Sequence, residues 1–133
     1  MKNKKGQSLV DVIFSIGIIV LVLTGVVVLV VSTAKIKRIN SQRQKAVELS
    51  QLLIEDKISE IKDDPSTFWN SAEDHVFNSE NAGNFGEDFV GYTYVLEQKN
   101  CNDHNSCDII FNISWEDGTQ SLSVKRLFLK NGI

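Results

Sequence analysis

The sequence predicts an α+β fold in which a long N-terminal helix packs, through its C-terminal half, against a small antiparallel sheet. Three observations predict it. An uncharged apolar run extends from Val12 to Ala34, no Gly or Pro interrupts the chain between Val26 and Asp64, and the last third alternates apolar with polar residues. These patterns indicate helix for the first two stretches and strand for the third. The 133 residues leave room for one small domain after the helix.

The apolar run is long enough to cross a membrane. Its 23 residues extend about 35 Å as a helix at roughly 1.5 Å per residue, against a hydrocarbon core of about 30 Å. We therefore predict that residues 7–34 form a transmembrane half of the helix. Asp11 lies at the start of the run, and no basic residue follows it until Lys35. A carboxylate within hydrocarbon costs about 2.5–3.5 kcal/mol, so Asp11 is a candidate functional residue.

Residues 35–64 are predicted to continue the helix as an amphipathic half, with helix over 8–62 and a stop at Asp63-Asp64-Pro65. The expected apolar stripe comprises Val47, Ile54, Ile58 and Ile61, flanked by Ala46, Leu49 and Leu53.

Residues 65–133 are predicted to form a small globular head. Residues 66–88 are predicted to form a loop with one short helix, and strands are expected over 89–98, 108–115 and 120–130. A hairpin turn is expected at Glu116-Asp117-Gly118-Thr119. The side chains expected to face inward are Val90, Tyr92, Tyr94, Leu96, Ile109, Phe111, Ile113, Trp115, Leu122, Val124 and Phe128. The stripe on the helix is the available cover for this sheet.

The charge is unevenly distributed along the chain. Residues 1–6 carry three bases, whereas residues 63–133 carry four bases and twelve acids, a formal charge of −8. So acidic a head repels nucleic acid, and we expect no nucleic-acid partner there.

Cys101 and Cys107 bracket five residues of a predicted loop. Two cysteines beyond a membrane helix favour an oxidising compartment and a disulfide. A metal site using both thiolates with His104 is the alternative, although paired C-x-x-C blocks are absent. Calcium could be held by carboxylates without a recognisable loop spacing, namely Asp103, Asp108, Glu116 and Asp117.

No catalytic constellation occurs in the sequence. There is no Gly-rich phosphate loop and no nucleophile elbow, and neither His75 nor His104 has a credible triad neighbour. We therefore expect a protein that is not an enzyme and needs no cofactor.

The segment Lys4-Lys5-Gly6-Gln7-Ser8-Leu9-Val10-Asp11, followed by the apolar run, resembles the class III leader of type IV pilins and pseudopilins. The resemblance implies that residues 1–6 are a leader, which prepilin peptidase removes between Gly6 and Gln7 on the cytoplasmic side. It also implies N-methylation of Gln7 and a role for Asp11 in assembly. Two residues depart from the family pattern: Gln7 stands where Phe is usual, and Asp11 where Glu is usual.

The resemblance further implies a filament subunit, a minor pilin or pseudopilin of a type IV pilus-like or type II secretion-like machine. Such a subunit waits in the cytoplasmic membrane as a single-pass protein with its N-terminus inside, and then enters an extracytoplasmic filament. Its partners would be other subunits, prepilin peptidase and an inner-membrane assembly platform.

Two other interpretations fit parts of the sequence. A membrane-anchored binding or sensor domain that never polymerises would keep its leader and have no use for Asp11. A secreted domain could be cleaved after Ser32-Thr33-Ala34, although the apolar run exceeds the usual signal-peptide core of about 7–15 residues.

Overall fold

The fold is α+β, with a long N-terminal helix and a small antiparallel sheet, as the sequence predicts. The computed structural model describes the backbone of residues 5–131 and the side chains of residues 8–131. Its helices and strands are α1 (Lys5–Asp63), α2 (Pro65–Ser71), β1 (His75–Val76), β2 (Glu80–Asn81), β3 (Thr93–Lys99), β4 (Ser106–Trp115) and β5 (Gln120–Leu129). The chain divides into two compact units between Ser41 and Gln42, here called the N-terminal unit and the head unit.

The end of α1 agrees with the predicted stop. The helix ends at Asp63, and Asp64 then caps the following short helix α2, which has Pro65 in its first turn. One Asp64 carboxylate oxygen accepts from the Thr67 backbone N–H at 3.1 Å, and the other accepts from the Thr67 hydroxyl at 2.7 Å. Hydrogen bonds from Thr67 and Ser66 lower the pKa of Asp64 below its usual value. One carboxylate thus starts a new helix where proline stops the old one.

The sheet is antiparallel throughout, with the order β1-β3-β4-β5, and β2 also pairs with β3. The three long strands match the three predicted ones, and the turn at 116–119 joins β4 to β5. The two short strands were not predicted, because each has only two residues, both exposed, and so shows no alternation.

The first long strand begins later than predicted, at Thr93 instead of Phe89. Gly91 has a φ of 87°, which breaks the extended chain before the strand starts. Phe89 and Tyr92 are buried outside the strand, whereas Val90, predicted to face inward, is 69% exposed. Tyr92 is thus buried as predicted, and Tyr94 and Leu96 pack half-buried against the core, but every residue from Thr93 to Glu97 is half-buried, so burial does not alternate along the strand.

The core of the head unit lies between α1 and one face of the sheet. The sheet contributes Ile109, Phe111, Ile113 and Trp115, all buried as predicted. The helix contributes Ala46, Leu49, Leu53 and Ile61, with Ile54 and Ile58 half-buried at their side.

The centre of the helical stripe differs from the prediction. Val47, expected within it, is 42% exposed, while the supposedly flanking Leu49 is fully buried. Lys57 is half-buried in line with Leu49, Leu53 and Ile61, although it is charged. Its ammonium lies 5.5 Å from the centre of the Phe68 ring and 2.8 Å from a Glu60 carboxylate oxygen. Lysine can bury its aliphatic stem in this way, so a charged residue occupied a position that the pattern assigned to the polar face.

These two positions on α1 predict a contrast in stability. We expect Leu49→Ala to lower the free energy of unfolding of the head by about 2–5 kcal/mol, because it leaves a cavity in a closed core. Val47→Ala is the matched control and should cost less than about 1 kcal/mol, since its side chain is already partly in water. Denaturant unfolding of the full-length protein in detergent, followed by the fluorescence of Trp69 and Trp115, measures both. Equal losses would contradict the placement of the core.

Candidate functional sites

The side chains of α1 in the N-terminal unit form an uncovered apolar surface. An 18-residue window of the helix has a mean hydropathy of 3.1, and none of it is buried within the chain. Phe14 is 69% exposed and Leu21 is 74% exposed. The helix is long and apolar enough to cross a membrane. Such a surface is stable only where lipid or other apolar helices replace water.

Three hydroxyl groups within this apolar surface are satisfied by the helix itself. Ser15, Thr24 and Thr33 each donate to the backbone carbonyl four residues earlier, at 2.8 Å in every case. This back-bonding lets a hydroxyl enter hydrocarbon without a partner from outside the helix.

The Asp11 carboxylate is different. It is exposed, and it forms no ion pair with any side chain among residues 8–131. The next basic residue along the helix is Lys35, about 36 Å away at roughly 1.5 Å per residue. A carboxylate in an apolar setting requires a cation or several donors, so its partner has to come from elsewhere.

The predicted processing residues precede this acid. Gly6 and Gln7 belong to the backbone of α1, which begins at Lys5, but the side chain of Gln7 and residues 1–4 lie outside the described residues. Gln7 and Asp11 are four residues apart, so they share one face of the helix, one turn from each other.

Cys101, in the loop after β3, and Cys107, at the start of β4, form a disulfide, as predicted, and both are fully buried. The bond uses both sulfurs, which removes the thiolates that the metal alternative requires. His104, the third residue of that alternative, places its Nδ1 2.9 Å from the backbone carbonyl oxygen of Trp69.

The disulfide loop is attached to the rest of the head by hydrogen bonds that the sequence did not reveal. The Cys101 N–H donates to an Asp74 carboxylate oxygen at 2.8 Å, and the Asp74 N–H donates to the Asn102 side-chain oxygen at 3.4 Å. With the His104 contact, these bonds join the loop to α2 and to the segment before β1. The partners are distant in sequence, and nothing in the local pattern pairs them.

Three of the carboxylates considered as calcium ligands have protein partners, and one of them, Glu116, accepts a hydrogen bond from the Gln42 side chain at 2.8 Å. Asp103 accepts from the backbone N–H groups of Asn105 and Ser106, at 3.1 and 3.0 Å, and these bonds lower its pKa. Asp108 accepts from Lys125 and Asn100, each at 2.8 Å, and these two partners lower its pKa as well. Asp103 and Asp108 therefore hold together the loop and the strands around it.

A surface cavity of about 300 Å³ lies where α1, α2 and β3 meet, and its walls include Phe68, Phe77 and Gln98. Its charged groups are engaged within the chain, because Lys57 pairs with Glu60 and Asp64 caps α2. The cavity thus offers no unpaired charge to a ligand.

No family model, curated protein or solved structure matches this chain. The arguments for function therefore come from its own residues.

Removal of the disulfide should weaken the head. We expect Cys101→Ala with Cys107→Ala to lower the free energy of unfolding by about 2 kcal/mol, because the bond restrains a short loop in the unfolded chain. Denaturant unfolding in the presence and absence of a reductant measures the effect. The double variant should be insensitive to the reductant, whereas the wild type should lose about the same stability when reduced. A wild type whose stability is indifferent to reduction would contradict this contribution.

Proposed function

We propose that this chain is a filament subunit, a minor pilin or pseudopilin of a type IV pilus-like or type II secretion-like machine. The observation that carries the proposal is the position of Asp11. It lies at the start of an uncovered apolar helix, four residues after the end of the Lys4-Lys5-Gly6-Gln7 segment. An acid at that place with no ionic partner among residues 8–131 is costly unless a partner meets it during assembly.

In the proposed pathway, the subunit first resides in the cytoplasmic membrane. Its apolar helix crosses the bilayer once, with the leader of residues 1–6 in the cytoplasm. Prepilin peptidase cuts between Gly6 and Gln7, and the new amino group of Gln7 is methylated. Cleavage removes three lysines and leaves one cationic amine in their place.

That amine supplies the missing partner for the acid. The Asp11 carboxylate of one subunit pairs with the Gln7 amine of a neighbour as the helices come together. Each charge offsets the cost of burying the other, and the pair forms in only one axial stagger. Buried ion pairs contribute to specificity more reliably than to stability, which suits a polymer with a single register. Apolar contacts along the helices then contribute most of the cohesion.

The head unit is compatible with a position outside the membrane. Its disulfide fits an oxidising compartment, and the acidity of residues 63–133 favours exposure to water. A small sheet packed on the C-terminal half of a long N-terminal helix is the arrangement that the pilin resemblance implies. The proposed partners are other subunits, prepilin peptidase and the inner-membrane assembly platform.

Substitution of the acid should separate assembly from the earlier steps. We expect Asp11→Ala to be processed and inserted normally but to enter filaments at least about tenfold less, since the Gln7 amine loses its partner. Shearing and sedimentation of filaments, with quantitative immunoblotting against the membrane fraction, measures this ratio.

Two controls accompany the experiment. Asp11→Glu keeps the charge and should retain most of the incorporation. Ser15→Ala, one turn away, removes a hydroxyl that is already satisfied within the helix and should behave as wild type. Unchanged incorporation of Asp11→Ala would count against the proposed role.

The N-terminal residue of the mature protein tests the proposed processing. Mass spectrometry of native material should find methylated Gln7, and Gly6→Leu should retain the whole leader, because the site before the cut needs a small residue. An N-terminus at Met1 in the wild type would instead support the membrane-anchored binding domain. An N-terminus at Lys35 would support the secreted domain.

A further inference from the structure

The two edges of the sheet in the head unit carry opposite charges. One edge is β5. Three of the four basic residues of the segment 63–133 lie on this strand or directly after it, namely Lys125, Arg126 and Lys130. The opposite edge is formed by β1, β2 and the residues just before β1, which carry Glu73, Asp74 and Glu80. All six side chains belong to exposed residues.

The opposite charges lie at the same level along the strands. His75 of β1 pairs with Gln98, which pairs with Ile109, which in turn pairs with Arg126 of β5. Glu73 and Asp74 immediately precede His75, and Lys130 lies four residues beyond Arg126 in the same direction along the sheet. Glu73 and Asp74 at one edge therefore share the end of the sheet that carries the disulfide loop with Arg126 and Lys130 at the other edge. Glu80, which pairs with Tyr94, lies toward the opposite end.

The directions of the edge strands also complement each other. Every neighbouring pair in the order β1-β3-β4-β5 is antiparallel, so β1 and β5 run in opposite directions. If a second head is moved sideways by the width of one sheet, without rotation, its β1 lies antiparallel to the first head's β5. The β5 edge has no partner strand other than β4 among the described residues, and its outward backbone groups can take one.

The outermost charges are not engaged within the head. Among the described side chains, neither Glu73 nor Arg126 has a hydrogen bond or an ion pair. They cannot reach each other within one head, because three strand spacings of about 4.8 Å separate the two edges. Lys125, Asp74 and Glu80 already have partners, namely Asp108, Cys101 and Tyr94.

From this arrangement we infer that the head carries its own docking surface for a second copy of this chain, in which the β5 edge of one head packs against the β1 edge of the next. The contact is heterologous, because the two surfaces differ, so each head can bind one neighbour on either side. It is a second interface, independent of the proposed pairing at Asp11, and the acidic edge selects the basic edge over a copy of itself.

Charged residues on an edge strand can also serve only to prevent association. The two roles respond differently to a reversal of sign. If the charges on β5 only prevent association, acids in place of the bases should serve equally well. If β5 docks against the acidic β1 edge of another head, the same change turns attraction into repulsion.

Cross-linking between copies tests the contact directly. Full-length protein in membranes carries Val76→Cys on β1 and Leu127→Cys on β5, both at exposed positions, and is treated with a bismaleimide too short to span about 14 Å within one head. We expect a ladder of dimers, trimers and higher species. Each single-cysteine variant should give no ladder, because the proposed contact places the two positions on opposite partners.

Charge reversal in this double-cysteine background tests the electrostatic part. Arg126→Glu with Lys130→Glu should lower the cross-linked yield by about an order of magnitude, and adding Glu73→Lys with Asp74→Lys should restore a substantial part of it. High salt should weaken the wild-type ladder. A yield that survives the reversal would assign the bases to edge protection and overturn the proposal.

Two further outcomes would also overturn it. Dimers from Leu127→Cys alone would indicate a symmetric contact between two β5 edges. A ladder that disappears when Asp11→Ala is added would show that the heads have no interface of their own. A ladder that persists with Asp11→Ala supports the head contact whatever the result of the filament experiment.

Discussion

The constraint on which the structure depends is that, among the described residues, nothing buries the apolar side chains of the first part of α1. They are exposed along every face of the helix, and exposure of so much apolar surface to water is unfavourable. Lipid or the helices of other copies have to provide the cover. The back-bonded hydroxyl groups are consistent with that environment, whereas the Asp11 carboxylate is a charged group that lipid alone leaves unsatisfied.

The second part of the same helix, by contrast, buries its apolar side chains within the chain. From Ala46 onward its apolar residues lie on one side, where Leu49 and Leu53 close the core under the sheet. The sheet has three long strands and two very short ones, and it needs this cover because a small sheet with an open apolar face is not stable alone. One continuous helix thus combines a stretch that is apolar all round with a stretch that is apolar on one side. Substitutions in the two stretches should therefore affect different properties, namely the proposed assembly and the stability of the head.

The sequence was sufficient for the features that local chemistry determines. Asp64 and Pro65 stop one helix and start the next, alternation from Ile109 to Trp115 defines the inner face of β4, and the spacing of Cys101 and Cys107 suits a disulfide. Other features depend on groups that meet only in three dimensions. Lys57 is half-buried among the apolar residues of α1, where its ammonium contacts the Phe68 ring and a Glu60 carboxylate. The apolar pattern of the helix did not predict this position.

The same limit applies to β1 and β2, which exist only because the edge of β3 is there to pair with them. The attachment of the disulfide loop through Asp74 and His104 likewise joins residues about thirty positions apart. For Asp11, the motif predicted a role, but its proposed partner belongs to another molecule and cannot be found in one chain.

The self-contained hydroxyl groups of the apolar helix have a mechanical consequence. Because Ser15, Thr24 and Thr33 donate to carbonyl groups of their own helix, these donors form no hydrogen bonds between neighbouring helices. In the proposed filament, these three hydroxyl groups would not fix the axial position of one helix against the next, and the proposed ion pair at Asp11 would be the main polar contact that does so. The axial register of adjacent subunits would then depend on one ion pair per subunit, so neighbouring helices either keep that register or shift to the next position at which the pair can form.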